Sequence, residues 1–415
     1  MITGGSMQSN TSIKLPLAFI LYALTAFVAS QLILFINNDV LTTGQFRIPD
    51  IWMGAHFLVL GYAVMIAMGA MYQLIPVALL APIWSQAFGF IQFIVTAIGI
   101  TVFSLLLGVS PDHAFYGGII AVAGIIMFII QMLVTILKQK NKNMMTAFIL
   151  GAISCLFLTI AAGFVLAWNL AEGRITSHGA ILSSHITLGV SGWFTLLIFG
   201  FSYKLVPMFS LSHGFSMKWA KPAFLTYISG LLILIGSFWT KTQFIDSIGW
   251  FVLLAGFFFF VLDIREILAK RLKKKLDKPF SFSLIAIING LGVHVLAFVF
   301  SFYGIQEVAV WGWLIFLYVM GWIIFSILGY LYKIVPFLWW TYKYSNKIGK
   351  EQVPTLREMI NETYSVILFT LFIFSIAGLS IGGLLYINIM VYVFQGLLAL
   401  ASLLYMLSII RVLTK

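Results

Sequence analysis

Long apolar stretches separated by short polar turns follow one another along the whole chain. Each stretch is long enough to cross about 30 Å of hydrocarbon as a helix. It must be helical, because lipid offers backbone N–H and C=O groups no hydrogen-bond partners. The pattern therefore predicts an all-α polytopic membrane protein, with 1–415 forming a single integral membrane domain. The twelve predicted spans cover about 15–37, 51–78, 82–108, 114–138, 144–169, 179–209, 220–240, 246–268, 281–303, 308–338, 363–385 and 387–411.

The composition points the same way. Of the 415 residues, 62% are hydrophobic and only 9% are charged, and the mean hydropathy is +1.07. A soluble chain of this length would need more charge to cover its surface, so the lipid bilayer is the predicted solvent. The single cysteine, Cys155, excludes a disulfide framework and a site built from several cysteine ligands.

The net charge of +12 is unevenly distributed over the predicted loops. Because the number of spans is even, both termini lie on one side of the membrane. All Lys and Arg residues except Arg47, Arg174 and Lys241 lie on that side or at span ends facing it. The positive-inside rule then predicts cytoplasmic termini and a multi-pass protein of the cell (plasma) membrane. The charge is thus a topology signal, and nucleic acid is not an expected partner.

One motif occurs three times, in predicted spans 2, 6 and 10. Its pattern is G-x7-G-x2-Y-[QK]-[LI]-[IV]-P, and the three copies stand at nearly equal intervals. Such a period predicts internal repeats of four spans each, at about 15–138, 144–268 and 281–411. An even number of spans per repeat makes the three repeats parallel. The motif residues are Gly61, Gly69, Tyr72, Pro76, then Gly192, Gly200, Tyr203, Pro207, then Gly321, Gly329, Tyr332 and Pro336.

Each motif position has a predicted structural role. The glycines let neighbouring helices approach closely. The tyrosine and the Gln or Lys after it are expected at the cytoplasmic interface, where amphipathic side chains anchor. The proline is expected to end or bend the helix at that boundary.

Five of the six histidines fall at the predicted outer side of the bundle. His113 is on a loop, and the other four belong to spans: His56 in span 2, His178 and His185 in span 6, and His294 in span 9. Ionisable residues within membranes are rare and usually functional, and imidazole is a common ligand of heme iron and of copper. Hydrogen bonding within the bundle is the alternative for each. His56 and His185 stand at similar depths in corresponding spans, which favours these two as ligands. His178 and His185 lie two turns apart on one helix face.

Two stretches carry a resemblance to a known family: AHFLVLGYAVMIAMGAMYQLIP at 55–76 and SHITLGVSGWFTLLIFGFSYKLVP at 184–207. Together with twelve spans in three groups of four, they resemble subunit I of the heme-copper oxidase superfamily. They look most like its shorter subunit-I-like proteins, in the neighbourhood of nitric oxide reductases and the NnrS family. The resemblance implies heme, with copper as a further cofactor. It implies that His56 binds heme, with His185 and His294 as further cofactor ligands, and that His185 or His178 binds a second metal.

The chain departs from that family in predicted spans 7 and 10, which lack the histidines that its oxidases and reductases carry there. A complete proton-pumping oxygen reductase is therefore not expected. The predicted function is a heme-binding, oxidase-like membrane protein in nitric oxide or oxygen chemistry, sensing or electron transfer, with a diatomic gas as ligand. As an enzyme it would be a heme-dependent oxidoreductase. Two alternatives stay open: a heme or copper carrier or assembly factor, and a cofactor-free transporter or structural subunit.

Overall fold

The computed structural model describes residues 12–140 and 142–415, and it confirms the predicted all-α class. It is 83% helical, and the described residues form no β-strand; an isolated bridge joins Ser212 and Arg271. Residues 1–11 and 141 of the predicted domain lie outside the described residues. Twelve helices are long and apolar enough to cross a membrane, as predicted. Spans 1 to 12 are Lys14–Ile36, Pro49–Leu79, Gln86–Val109, Pro111–Leu137, Met144–Glu172, His178–Ser210, Ala220–Thr240, Gln243–Ala269, Lys278–Phe302, Val308–Lys347, Glu362–Leu384 and Asn388–Thr414.

Span 3 begins at Gln86, four residues later than predicted. Span 2 ends at Leu79, followed by Leu80 in the left-handed conformation at φ 52°. The chain then turns, and the Ser85 hydroxyl accepts a hydrogen bond from the Phe88 backbone N–H at 3.2 Å. Serine is a preferred N-cap because its side chain satisfies one of the free donors of the first helical turn. The cap therefore sets where this span begins.

The twelve spans form a closed bundle. Each span packs against the next one along the chain, and span 12 returns to pack against span 1. Burial is greatest in spans 10, 2 and 6, where 78%, 72% and 61% of the most apolar 18 residues are buried. The three spans that carry the repeated motif are therefore the inner helices of the bundle.

The motif glycines lie at close helix contacts, as predicted. A Cβ atom on Gly61 would lie 2.8 Å from the Cβ atom of Ala26 in span 1, and one on Gly192 would lie 2.8 Å from that of Cys155 in span 5. Such contacts let helix backbones approach closely. The other motif glycines meet spans 1, 5 and 9 in the same way: Gly69, Gly200, Gly321 and Gly329. The division of the chain into three repeats remains a prediction. The three copies of the motif share these glycine contacts with a neighbouring span.

The predicted interfacial position of the motif tyrosines is wrong. Their side chains are buried, at 0%, 5% and 1% exposure in chain order. Each hydroxyl bonds to a side chain of another span in its own group of four. A buried tyrosine needs such a partner, and having one it gains nothing from interfacial water. The pairs are Tyr72 with Gln92 (3.0 Å), Tyr203 with Asp263 (3.0 Å) and Tyr332 with Ser408.

The motif prolines lie inside helices and do not end them. The helix that contains Pro76 continues to Leu79, and the one that contains Pro207 continues to Ser210. In span 10 the helix runs well past Pro336, to Tyr344. A proline removes only one backbone hydrogen bond, and helices in a membrane bundle tolerate that loss.

A wider, π-helical segment interrupts each inner span at the same place, around the first motif glycine. The segments are Phe57–Val64 in span 2, Leu188–Phe194 in span 6 and Tyr318–Ile324 in span 10. Such segments re-aim side chains and are frequent at functional sites. The first begins directly after His56 and the second three residues after His185, so the distortion lies beside both histidines.

Candidate functional site

A cavity of about 1170 Å³ opens inside one end of the bundle, and residues from all twelve spans line it. Loops 37–48, 173–177, 241–242 and 303–307 lie at this end, which we call the cavity end. The wall is mainly aliphatic and aromatic. Ligand sites of about 300–1,000 Å³ with apolar walls and few polar groups are typical of small molecules and cofactors, so this cavity is large enough for a sizeable cofactor.

His56 faces this cavity from span 2 and is half-buried. Its Nδ1 bonds to the Trp52 carbonyl oxygen at 2.8 Å, one helical turn earlier. Because a carbonyl only accepts, Nδ1 carries the proton and Nε2 keeps its lone pair. The Phe103 ring of span 3 meets the imidazole edge to face at 5.4 Å between ring centres. The ring orientation is therefore set by one backbone bond and one aromatic neighbour.

His185 faces the same cavity from span 6, and its environment is similar. Its Nδ1 bonds to the Thr159 carbonyl oxygen of span 5 at 2.9 Å. That oxygen lies inside the span 5 helix and can accept this bond through its second lone pair. Gly163 lies one turn further along. A Cβ atom on Gly163 would lie 2.8 Å from His185 Cε1. The glycine therefore leaves the room that the imidazole occupies.

The two histidines form a pair across the cavity. Each has its Nδ1 proton bound to a backbone carbonyl, and each leaves Nε2 without a protein partner in the described residues. Histidines that bind metals almost always donate their other N–H to a carbonyl or carboxylate, which fixes the tautomer and the ring orientation. His56 and His185 therefore share two features of metal-binding histidines, a fixed tautomer and an Nε2 without a partner among the described residues.

His178 also lines the cavity, closer to the loops, and its Nδ1 lies 3.2 Å from the Asn169 side-chain nitrogen. Asn169 in turn accepts the Ile175 backbone N–H at 2.8 Å, so His178 helps to hold the turn between spans 5 and 6. Across residues 12–140 and 142–415, no group of three or more His, Cys, Asp or Glu side chains could hold a metal ion. The predicted metal pair of His178 and His185 gains no further protein ligand here.

His294 occupies a different environment, with no exposed surface. Its Nδ1 bonds to the Gly290 carbonyl oxygen at 2.7 Å. Its Nε2 lies 3.0 Å from the Tyr227 hydroxyl and 3.3 Å from the Tyr318 hydroxyl. Tyr318 continues the network to Thr195 at 3.0 Å. Both ring nitrogens are thus satisfied within the bundle, and His294 does not line the cavity.

Buried polar atoms without a partner lie in the cavity wall. The indole N–H groups of Trp193 and Trp313 and the side-chain oxygen of Gln395 have no hydrogen-bond partner in the structure. Leaving such a group unpaired costs about 1–3 kcal/mol. These atoms have almost no accessible surface, so the protein encloses them and they do not face the cavity.

Charged groups lie where the cavity meets the loops. Arg47 and Lys241 both line it and are exposed. Asp246 lines it as well, and its carboxylate accepts bonds from the Ser237 and Ser301 hydroxyls. The cavity therefore has an apolar interior and a charged rim.

No family model matches the chain, and no curated protein is recognisably similar to it. The resemblance to subunit I of the heme-copper oxidases therefore stays a prediction from residues 55–76 and 184–207. The sequence suggested His56 and His185 as ligands by residue type and depth. It carried no signal for the Trp52 and Thr159 carbonyls that orient them, because a backbone oxygen has no residue identity. The rim position of Arg47 and Lys241 also depends on how the loops fold back over the cavity.

Proposed function

We propose that the chain is a heme-binding, oxidase-like membrane protein, in which His56 and His185 are the iron ligands. It acts in electron transfer or in nitric oxide or oxygen chemistry. The observation that carries the proposal is a pair of imidazoles that line one large apolar cavity. Each is held through Nδ1 by a backbone carbonyl, and each has an Nε2 without a partner among the described residues.

The donor set and the cavity fit this cofactor. Neutral imidazole nitrogens suit iron, and the volume and apolar wall suit a porphyrin. When bound, heme would supply one-electron redox chemistry, and it would offer a site for a diatomic gas only where one of the two imidazoles leaves the iron. The protein's part is to fix the tautomer and direction of two imidazoles through Trp52 and Thr159, and to keep water from the apolar interior.

The proposal includes an orientation in the plasma membrane. We place both termini in the cytoplasm and the cavity end outside. The loops of the cavity end carry only three basic residues, Arg47, Arg174 and Lys241, and basic residues are enriched in cytoplasmic loops. Reporter fusions at the C-terminus and in the loop after span 7 test this. A cytoplasmic signal from the loop reporter would reverse the orientation and leave heme binding to be judged separately.

The deciding experiment is a reduced-minus-oxidised absorption spectrum with pyridine hemochrome quantitation on detergent-purified protein. We expect near-stoichiometric heme in the wild type and its loss in His56→Ala and His185→Ala. His113→Ala is the matched control, because His113 is on an exposed turn and bonds only locally, to Ser110 and Asp112. It should keep its heme.

The same measurement separates the two alternatives. Substoichiometric, readily exchanged heme or copper would favour a carrier or assembly factor. No heme in wild-type protein expressed with ample heme supply would reject the proposal and favour a cofactor-free transporter or structural subunit.

A further inference from the structure

We propose that Arg47 and Lys241 form a carboxylate-binding rim, which holds the acid end of the molecule in the cavity. The inference rests on the proposed function, since the two carboxylates it would recognise are the propionates of heme. It concerns side chains that neither the repeat nor the histidine pattern had singled out as ligands.

The distribution of charge at the cavity end is the first argument. The loops at this end hold three basic residues, Arg47, Arg174 and Lys241, whereas the opposite end holds nearly all the others. Two of these three line the cavity. Basic residues are disfavoured on this side if it is the outer one, so their position at the mouth calls for a reason.

The pairing of these cations is the second argument. Arg174 forms an ion pair with Glu172 at 3.1 Å and does not line the cavity. Arg47 and Lys241 form no ion pair with any described residue. Asp246, the carboxylate of the cavity wall, is engaged by two hydroxyls, and Glu307 is exposed and forms no ion pair. The two rim cations are thus free to pair with an incoming anion.

Each of the two cations lies close in sequence to a residue that contacts span 9 or span 10. Beside Arg47, the Phe46 ring packs edge-on against Trp313 of span 10 at 5.5 Å. Close to Lys241, the Gln243 side chain donates to the Ser301 and Phe302 carbonyls at the end of span 9, at 3.3 Å each. Both loops are therefore attached to the bundle, which gives two cationic positions above one apolar cavity. That arrangement fits an amphipathic dicarboxylate with a flat apolar body.

Metal-free protoporphyrin IX and its dimethyl ester test the rim separately from the histidines, because neither carries iron. The full-length protein in detergent is titrated with each while porphyrin fluorescence is followed. We expect the wild type to prefer the diacid about tenfold, the size that two partly exposed ion pairs provide. The preference should fall to about twofold or less in the Arg47→Gln/Lys241→Gln double variant, and it should weaken with added salt.

Two further variants keep the test decisive. Arg174→Gln removes a cation of the same end that does not line the cavity, and it should leave the preference unchanged. The exchange variant Arg47→Lys/Lys241→Arg keeps both charges and should keep the preference. Binding of the ester reports folding in every variant. Three results would each overturn the rim. They are a wild type without a preference for the diacid, a double variant that keeps the preference, and an exchange variant that loses it.

Failure of the rim and failure of the proposed function look different. If His56 and His185 do not bind iron, the wild type gives no heme spectrum although the diacid preference persists. If the rim is wrong, heme binds and depends on His56, and the acid and the ester bind equally.

Discussion

The pair His56 and His185 differs sharply from His294, although all three are histidines inside apolar spans. His56 and His185 each use one ring nitrogen on a backbone carbonyl and leave the other to the cavity. His294 uses both, on Gly290 and on two tyrosine hydroxyls, and has no exposed surface. All three residues are histidines within apolar spans, so the groups around the second ring nitrogen decide whether it has a hydrogen-bond partner.

That difference separates a ligand from a structural group. An unpaired lone pair facing a cavity can bind a metal, whereas a lone pair already bound to a hydroxyl must first lose that bond. The polar network around His294 also links span 9 to spans 7, 10 and, through Thr195, span 6. We therefore assign His294 to the packing of the bundle and keep His56 and His185 as the proposed heme ligands.

The largest expected effect tests this assignment by chemical rescue. His56→Gly should lower the affinity for heme by about a hundredfold, since changing even the groups that orient a metal ligand costs 10–100-fold. Added imidazole should restore the heme spectrum, because the cavity admits it to the vacated position. His294→Gly should keep its heme without imidazole. Loss of heme in His294→Gly, with the protein still folded, would contradict the comparison.

A second prediction concerns stability. His294→Leu should reduce the free energy of unfolding by about 1 kcal/mol, because it removes the nitrogen acceptor while the Tyr227 and Tyr318 hydroxyls still bond to each other and to Thr195. His185→Leu should cost less, since its Nε2 has no partner to lose. Denaturation of the heme-free proteins in mixed detergent micelles measures both. Equal losses for the two variants would mean that the network is not what distinguishes them.

A third prediction changes the position of one imidazole without removing it. A methyl group on Gly163 would lie 2.8 Å from His185 Cε1, so Gly163→Ala should displace the ring. We expect about a tenfold loss of heme affinity, as for other changes in the surroundings of a metal ligand. Gly179→Ala is the matched control, because Gly179 also lines the cavity and an added Cβ there meets nothing within 4 Å. Equal affinities for the two variants would reject the role of Gly163.

The smallest expected effect lies at the opposite end, at an aspartate that pairs with two lysines. Burial raises the pKa of Asp277, but hydrogen bonds and charges of Lys273 and Lys333 outweigh it and hold the pKa below its usual value. The ionised form therefore stabilises the fold above about pH 3.9, the usual aspartate value, and this contribution is lost as the pH falls through the lower folded value.

Asp277→Asn should accordingly cost about 1 kcal/mol near neutral pH, the upper range for such pairs. The difference from wild type should vanish in acid, and heme content should not change. Stability curves from pH 3 to pH 7 measure it. A change in heme content would show that this end is coupled to the cavity, contrary to the comparison.

Much of the fold could be predicted because the bilayer limits what a chain can do. An apolar stretch of sufficient length must be a helix, and all twelve spans are present. Most ends are shifted by a few residues, whereas span 10 ends at Lys347, nine residues later than predicted. The motif glycines also indicated close helix contacts, since few other features explain glycines at a fixed spacing. The motif tyrosines were misplaced because tyrosine suits both an interface and a buried hydrogen bond. The position of Gln92, Asp263 or Ser408 in space decides between the two.

The sequence by itself determined that this chain is a bundle of twelve membrane helices and that a few histidines lie within it. Tertiary structure alone decided which histidine nitrogens are free. That depends on the Trp52 and Thr159 carbonyls for His56 and His185, and on the Tyr227 and Tyr318 hydroxyls for His294. The physical reason is that hydropathy acts on each segment separately, whereas the state of a buried polar atom depends on partners that distant segments bring to it.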